Sequence, residues 1–203
     1  MTKAVPVNNK FNSHSKEENS PLSVLSEILA RLDQRAVNWA LLHDERDTWD
    51  DNKSDVDLAF AGNPRFVMEP VLREFEDEGR LVILQRLHYE ILSGYYYIVK
   101  IAGGRGLFLH LDCLFDPFGV NRYHLSTSYL LEGKQSESSG FRIASDKEAL
   151  YLLMKRAIKG MISQQQLDKL HQSLDPQSET LWEEVRRWFG HPGVYAVESL
   201  MRL

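Results

Sequence analysis

The chain has 203 residues, a formal net charge of −5 and one cysteine, Cys113. These exclude an internal disulfide framework, a cysteine-based zinc cluster and a global basic field for gripping nucleic acid. No apolar run reaches the ~20 residues that a membrane-spanning helix needs, and the opening MTKAVPVNNKFNSHSKEENS lacks the apolar core of a secretory signal, so a cytoplasmic protein is expected.

Residues 1–19 are polar and rich in Asn, Ser and Lys, the composition of a disordered tail. Ser20-Pro21 reads as an N-cap followed by proline at the first helical position. Leu22, Leu25, Ile28, Leu29 and Leu32 follow at helical spacing and predict a helix to about 31–34. The apolar stretch 36–43 (AVNWALLH) predicts a buried strand, the charged stretch 45–53 a loop, and 54–60 (SDVDLAF) a strand. Asn63-Pro64 opens a helix to about residue 78, with Phe66, Val67, Val71, Leu72 and Phe75 inward and Gly79 as its stop. Runs 81–87, 95–101 and 107–115 predict strands, the last two joined as an antiparallel hairpin by the turn 103–106 (GGRG). After Asp116-Pro117 the pattern is irregular, and 133–140 (GKQSESSG) reads as flexible. Helices are predicted over 146–159 with Gly160 as stop, then near 164–173, 178–189 and 194–201. The order is α+β rather than a βαβ repeat: a core over 20–140 and a C-terminal helical region over 141–203.

Alternation along SDVDLAF sends Val56, Leu58 and Phe60 one way and Asp55 and Asp57 the other, with the two carboxylates about 7 Å apart along the strand. Such a pair repels itself unless a cation sits between, and hard divalent ions prefer oxygen ligands. In 107–115 the odd positions are apolar, while Phe108, His110 and Asp112 share the other face. A lone acid on a core strand is costly unless paired or metal-bound. If the two strands are neighbours, Asp55, Asp57 and Asp112 converge as the ligand set for two-metal phosphoryl or nucleotidyl transfer. A solvated strand end or capping acids is the plainer alternative for Asp55 and Asp57.

Other residues divide in the same way. Lys155 and Lys159 are i,i+4 neighbours that suit a phosphate or an acidic polymer, but such a pair is more often a solvated helix end. His110 shares a face with Asp112 and suits a supporting role. His88-Tyr89-Glu90 follows a strand, and a lone histidine there is more often structural. Cys113 points away from Asp112 into the core. Tyr95-Tyr96-Tyr97 reads as strand packing, and Trp182, Trp188 and Phe189 as anchors of the helical tail.

SDVDLAF followed by LHLDCLFD resembles the nucleotidyltransferase superfamily of the DNA polymerase β-like fold. NWALLHDE, KSDVDLAF, LQRLHYE with YYYIV, LHLDCLFD and ALYLLMKRAIKG narrow the likeness to nucleotidyltransferase-like proteins of bacterial polysaccharide-biosynthesis gene clusters, over residues 38–160. The resemblance implies a mixed β-sheet flanked by helices, Mg2+ or Mn2+ held by Asp55, Asp57 and Asp112, a nucleoside triphosphate donor, and Asp112 nearest the attacking hydroxyl. One element departs from the family pattern. Where the family has an hG[GS] turn to cradle phosphates, this chain reads Leu42-His43-Asp44-Glu45-Arg46. Ser54 is the nearest hydroxyl, and His43 and Arg46 are substitute phosphate ligands. Two functions stay open: a transferase moving a nucleoside monophosphate to an acceptor hydroxyl or phosphate, and a degenerate module that binds or scaffolds, docked to a kinase or a polysaccharide-pathway protein. A metal phosphohydrolase using the same acids is a third.

Overall fold

The first helix starts where Ser20-Pro21 places it. The Ser20 hydroxyl accepts a hydrogen bond from the Ser23 N–H at 3.1 Å, and helix α1 (Pro21–Gln34) buries Val24, Leu25, Ile28, Leu29 and Leu32 along one stripe. The structure, a computed structural model, describes residues 20–43, 55–88, 94–103, 106–115, 118–120, 123–137, 140–200 and 202. The next helix, α2 (Pro64–Asp77), is capped in the same manner, with Asn63 Oδ1 accepting from the Arg65 N–H at 2.9 Å. Gly79 follows it with φ +71°, a left-handed residue that ends the helix.

Nine strands are described: β1 (Trp39–Leu41), β2 (Val56–Phe60), β3 (Leu81–His88), β4 (Gly94–Ile101), β5 (Phe108–Leu114), β6 (Phe118–Val120), β7 (Tyr123–Leu125), β8 (Gln135–Glu137) and β9 (Gly140–Arg142). Seven form one sheet in the order β3-β4-β5-β2-β1-β9-β8, and β6 pairs with β7 separately. The large sheet is mixed. β2 runs parallel to β5 and β1 parallel to β9, while the other neighbours are antiparallel. Four further helices follow: α3 (Thr127–Leu131), α4 (Ser145–Lys159), α5 (Gln164–Ser173) and α6 (Glu179–Leu200). This is the expected α+β class, a mixed sheet flanked by helices with a C-terminal helical region. Among the described residues no helix is long and apolar enough to cross a membrane.

The sheet has an apolar core on each face. On one, α1 and α2 cover Val56, Leu58, Leu111, Cys113, Tyr97 and Val99. On the other, Ala40, Leu42, Ala59 and Leu114 meet Leu150, Met154, Leu170 and Val185 of the C-terminal helices. This second cover is apolar only over one part of the sheet. Asp57 and Asp112 lie just beyond it, which is where the site forms.

Four details differ from the sequence reading. Phe66, expected inward, is 74% exposed, and Met68 is buried instead. Met68, Val71, Leu72 and Phe75 form the stripe, and Phe66 falls about 200° around the helix from Met68. The stretch 133–140, expected to be flexible, contributes β8 and β9. The latter joins the main sheet through Leu41↔Arg142, with Ile143 N–H donating to Leu41 O at 3.1 Å. The irregular region after residue 117 holds the β6–β7 hairpin and α3. The two expected tail helices are one run, α6, broken at Gly190 (φ 66°, ψ −175°) just before Pro192. The expected loop over 45–53 and the tail over 1–19 lie outside the described residues.

Candidate functional site

β2 and β5 are parallel neighbours, and their register sets Asp57 directly beside Asp112. On β4, Tyr96 is the register partner of Asp112. Side-chain alternation sends Val56, Leu58, Leu111, Cys113, Tyr95 and Tyr97 to the α1–α2 core. It therefore turns Asp57, Asp112 and Tyr96 to the opposite face, in one row across three strands.

Asp57 is 2% exposed. Its Oδ2 accepts from His43 Nε2 at 2.6 Å and from the Tyr151 hydroxyl at 3.2 Å, and forms an ion pair with Lys155. Burial alone would push this carboxyl up. The His43 hydrogen bond and the Lys155 charge outweigh burial and hold it well below the usual carboxylate range. His43 is itself buried, two residues after the end of β1, and stacks on Tyr151 with ring centroids 6.4 Å apart.

Asp112 behaves oppositely. Burial, and then the adjacent Asp57 charge, push it up to about 7, against the pull of Lys155. Its Oδ1 is buried and has no hydrogen-bond partner among the described residues. Such an oxygen calls for a proton or a cation.

Asp55 stands at the rim with its side chain 47% exposed. The Tyr96 hydroxyl donates to Asp55 Oδ1 at 2.8 Å, and His110 Nδ1 lies 3.0 Å from that hydroxyl and 3.4 Å from Asp55 Oδ1. His110, expected to support Asp112, instead contacts Tyr96 and Asp55.

The other wall comes from α4 and α5. Tyr151, Lys155 and Lys159 recur at i,i+4 and so share one face of α4. A cavity of about 220 Å³ lies between that face and the sheet, lined by His43, Asp55 and Asp57 together with Lys155, Arg156, Lys159 and Lys169. An adjoining cavity of about 230 Å³ shares His43 and Lys169. It is bordered by the Arg142–Glu148 ion pair at 2.5 Å.

The fit to a divalent cation is partial. Asp57 and Asp112 are oxygen donors side by side, and Asp112 Oδ1 is unpartnered. Among the described residues, however, no group of three or more His, Cys, Asp or Glu side chains is arranged to hold a metal. Asp55 is engaged with Tyr96 and His110, and Lys155 stands against Asp57 where a cation would neutralise it.

The structure therefore sets Asp55, Asp57, His43, Lys155 and Lys159 around one cavity, and Asp112 beside Asp57 in the strand register but outside the described lining of that cavity. Lys155 is not the solvated helix-end charge its spacing favoured, because its ammonium is paired with a buried acid. Ser54 and Arg46 lie outside the described residues, as do Tyr89 and Glu90. His88 is exposed and packs on Tyr95, with ring centroids 4.8 Å apart, on the face away from the acids. The sequence reading missed Tyr151 and Lys169 and took Tyr96 for strand packing alone. For Tyr151 a signal existed: it lies four residues before Lys155.

No protein-family model matches the chain, and no curated protein matches it. Among solved structures it is similar to an antigenic nucleotidyltransferase-like protein from Paracoccidioides brasiliensis, with a TM-score of 0.45 and 12% identity over 93% of this chain and 94% of that one.

Proposed function

We propose that the cavity between β2–β5 and α4 binds a nucleoside triphosphate and transfers its nucleotidyl group to an acceptor hydroxyl or phosphate, with a divalent cation as cofactor. The observation that carries this reading is the side-by-side pair Asp57–Asp112, with one buried Asp112 oxygen lacking a partner among the described residues, beside a cavity that Asp57 lines with Lys155, Lys159 and Lys169. Asp57 and Asp112 would hold Mg2+ or Mn2+, with Asp55 at the rim. When bound, the ion supplies charge stabilisation at the phosphates. Lys155, Lys159, Arg156 and Lys169 neutralise the triphosphate. In the transfer the acceptor oxygen bonds to the α-phosphorus, the bond from that phosphorus to its bridging oxygen breaks, and pyrophosphate leaves. The acceptor proton goes to Asp112, whose buried Oδ1 has no hydrogen-bond partner among the described residues. The sequence likeness to polysaccharide-cluster proteins suggests a sugar or sugar-phosphate acceptor in the cytoplasm.

A second reading is a module that binds a phosphorylated ligand without transfer. The Lys155–Asp57 pair favours it, because a fixed ammonium can replace the metal.

Thermal shift with Mn2+, each nucleoside triphosphate, and the pairs separates the readings, since a ligand of the native state raises its midpoint. The transferase reading expects the pair to exceed either component, with metal-dependent pyrophosphate release that Asp112→Asn abolishes. A nucleotide shift indifferent to metal, without pyrophosphate, supports the binding module. Release of phosphate in place of pyrophosphate points to a hydrolase. No shift with any pair rejects both of the first two readings.

A further inference from the structure

Beside the polar cavity lies another of different chemistry, about 310 Å³, between the end of α4, the approach to α5 and the last segment of α6. Leu153 and Val197, both buried, line it together with Ile162, Phe189 and Leu200. Met161, 73% exposed, also borders it. Arg156 is the one polar side chain among its described lining residues, and it also lines the polar cavity. The Arg156 Nε is buried and has no hydrogen-bond partner among the described residues.

These facts constrain an occupant. An unsatisfied buried guanidinium nitrogen is costly and is relieved by an anionic oxygen. A purely apolar ligand would leave that nitrogen as it is. A simple anion would leave the apolar walls in water. A molecule with an anionic head and an apolar tail satisfies both. The neighbouring Lys155, Lys159 and Lys169 favour a head of higher charge than a carboxylate. We propose that this cleft takes the apolar tail of an amphipathic phosphate, with the phosphate at Arg156 on the border of the polar cavity. The proposal does not depend on whether the polar cavity catalyses transfer.

Titration calorimetry on the full chain, with n-octyl phosphate, inorganic phosphate and 1-octanol below micelle-forming concentration, tests it. Octyl phosphate is expected to bind at least tenfold more tightly than either fragment. It should shift the Met161 methyl resonance, which inorganic phosphate leaves in place. Ala157→Trp adds a ring to an exposed lining position and should lower octyl phosphate to the affinity of inorganic phosphate, with inorganic phosphate binding retained. Ala196→Trp, from the α6 wall, repeats the test should the first variant fail to fold. Equal affinity for phosphate and octyl phosphate in the unaltered chain overturns the proposal. So does an undiminished octyl advantage in a folded tryptophan variant. Sedimentation showing a dimer that either tryptophan dissociates also overturns it, since the cleft would then belong to a second copy.

Discussion

Asp57 and Asp112 occupy the same register step of two parallel strands, yet their carboxyls are driven in opposite directions. The difference lies in their partners. Asp57 has His43, Tyr151 and Lys155 on one oxygen, whereas one oxygen of Asp112 has no partner among the described residues. The unfolded chain holds Asp112 near its ordinary value of 3.8 and the fold raises it to about 7. Between those values the native state binds the extra proton, so this group's contribution to stability falls as pH rises. Asp57, with a lowered folded value, keeps its full contribution across that window and loses it only at lower pH.

Urea denaturation in EDTA should therefore show that Asp112→Asn matches the unaltered chain near pH 4 and exceeds it by about 2–4 kcal/mol near pH 8. A constant difference across that range would show that Asp112 does not carry a raised proton affinity.

Lys155 reaches Asp57 across 98 residues of sequence and compensates a charge that is almost wholly buried. Removing one partner of such a pair strands the other. Lys155→Met is expected to cost about 2–4 kcal/mol at pH 7. Adding Asp57→Asn should recover part of that loss, because the stranded charge goes with it. Additive losses in this cycle would mean that the pair is not coupled.

Much of this architecture was legible because local chemistry agreed with the final packing. Ser20-Pro21 and Asn63-Pro64 set helix starts, and Gly160 ends α4 at the expected place. Strand alternation separated Asp55, Asp57 and Asp112 from their apolar neighbours. Other features carry no local signal. β8 is the polar tripeptide Gln135–Glu137, without the apolar alternation that marks a half-buried strand, and β9 joins the large sheet through its distant partner β1. The spacing of Tyr151, Lys155 and Lys159 showed one helix face, but not that the face would dock over Asp57. That relation depends on how α4 packs across the sheet. Phe66 misled because hydrophobicity alone does not fix which side of α2 meets the core.

Tyr151 offers a quieter test of the same acid. Its side chain is buried, and its hydroxyl donates to Asp57 at 3.2 Å. A hydrogen bond to the charged form favours that form. Tyr151→Phe should cost about 1–3 kcal/mol near neutral pH. It should also raise the folded-state value of Asp57, so that acid destabilisation begins at a higher pH. Circular dichroism along an acid titration reads both effects, and an unchanged acid midpoint would deny Tyr151 a part in holding Asp57 ionised.

Gly140 opens β9 with φ +120°, a conformation that L side chains rarely adopt. It also lies flat against Trp39. An added Cβ would come within 2.4 Å of the Trp39 ring, and that ring is fully buried with no room to retreat. Strain and overpacking act together in Gly140→Ala, with an expected loss of about 2–4 kcal/mol. The damage should spread toward the site, because β9 pairs with β1 at Leu41, only two residues before His43. Trp39 fluorescence and urea denaturation measure the effect. Trp39→Leu in the same chain should relieve much of the overpacking but none of the backbone strain. If Gly140→Ala is as stable as the unaltered chain, the close approach of β9 to Trp39 is not part of the native packing.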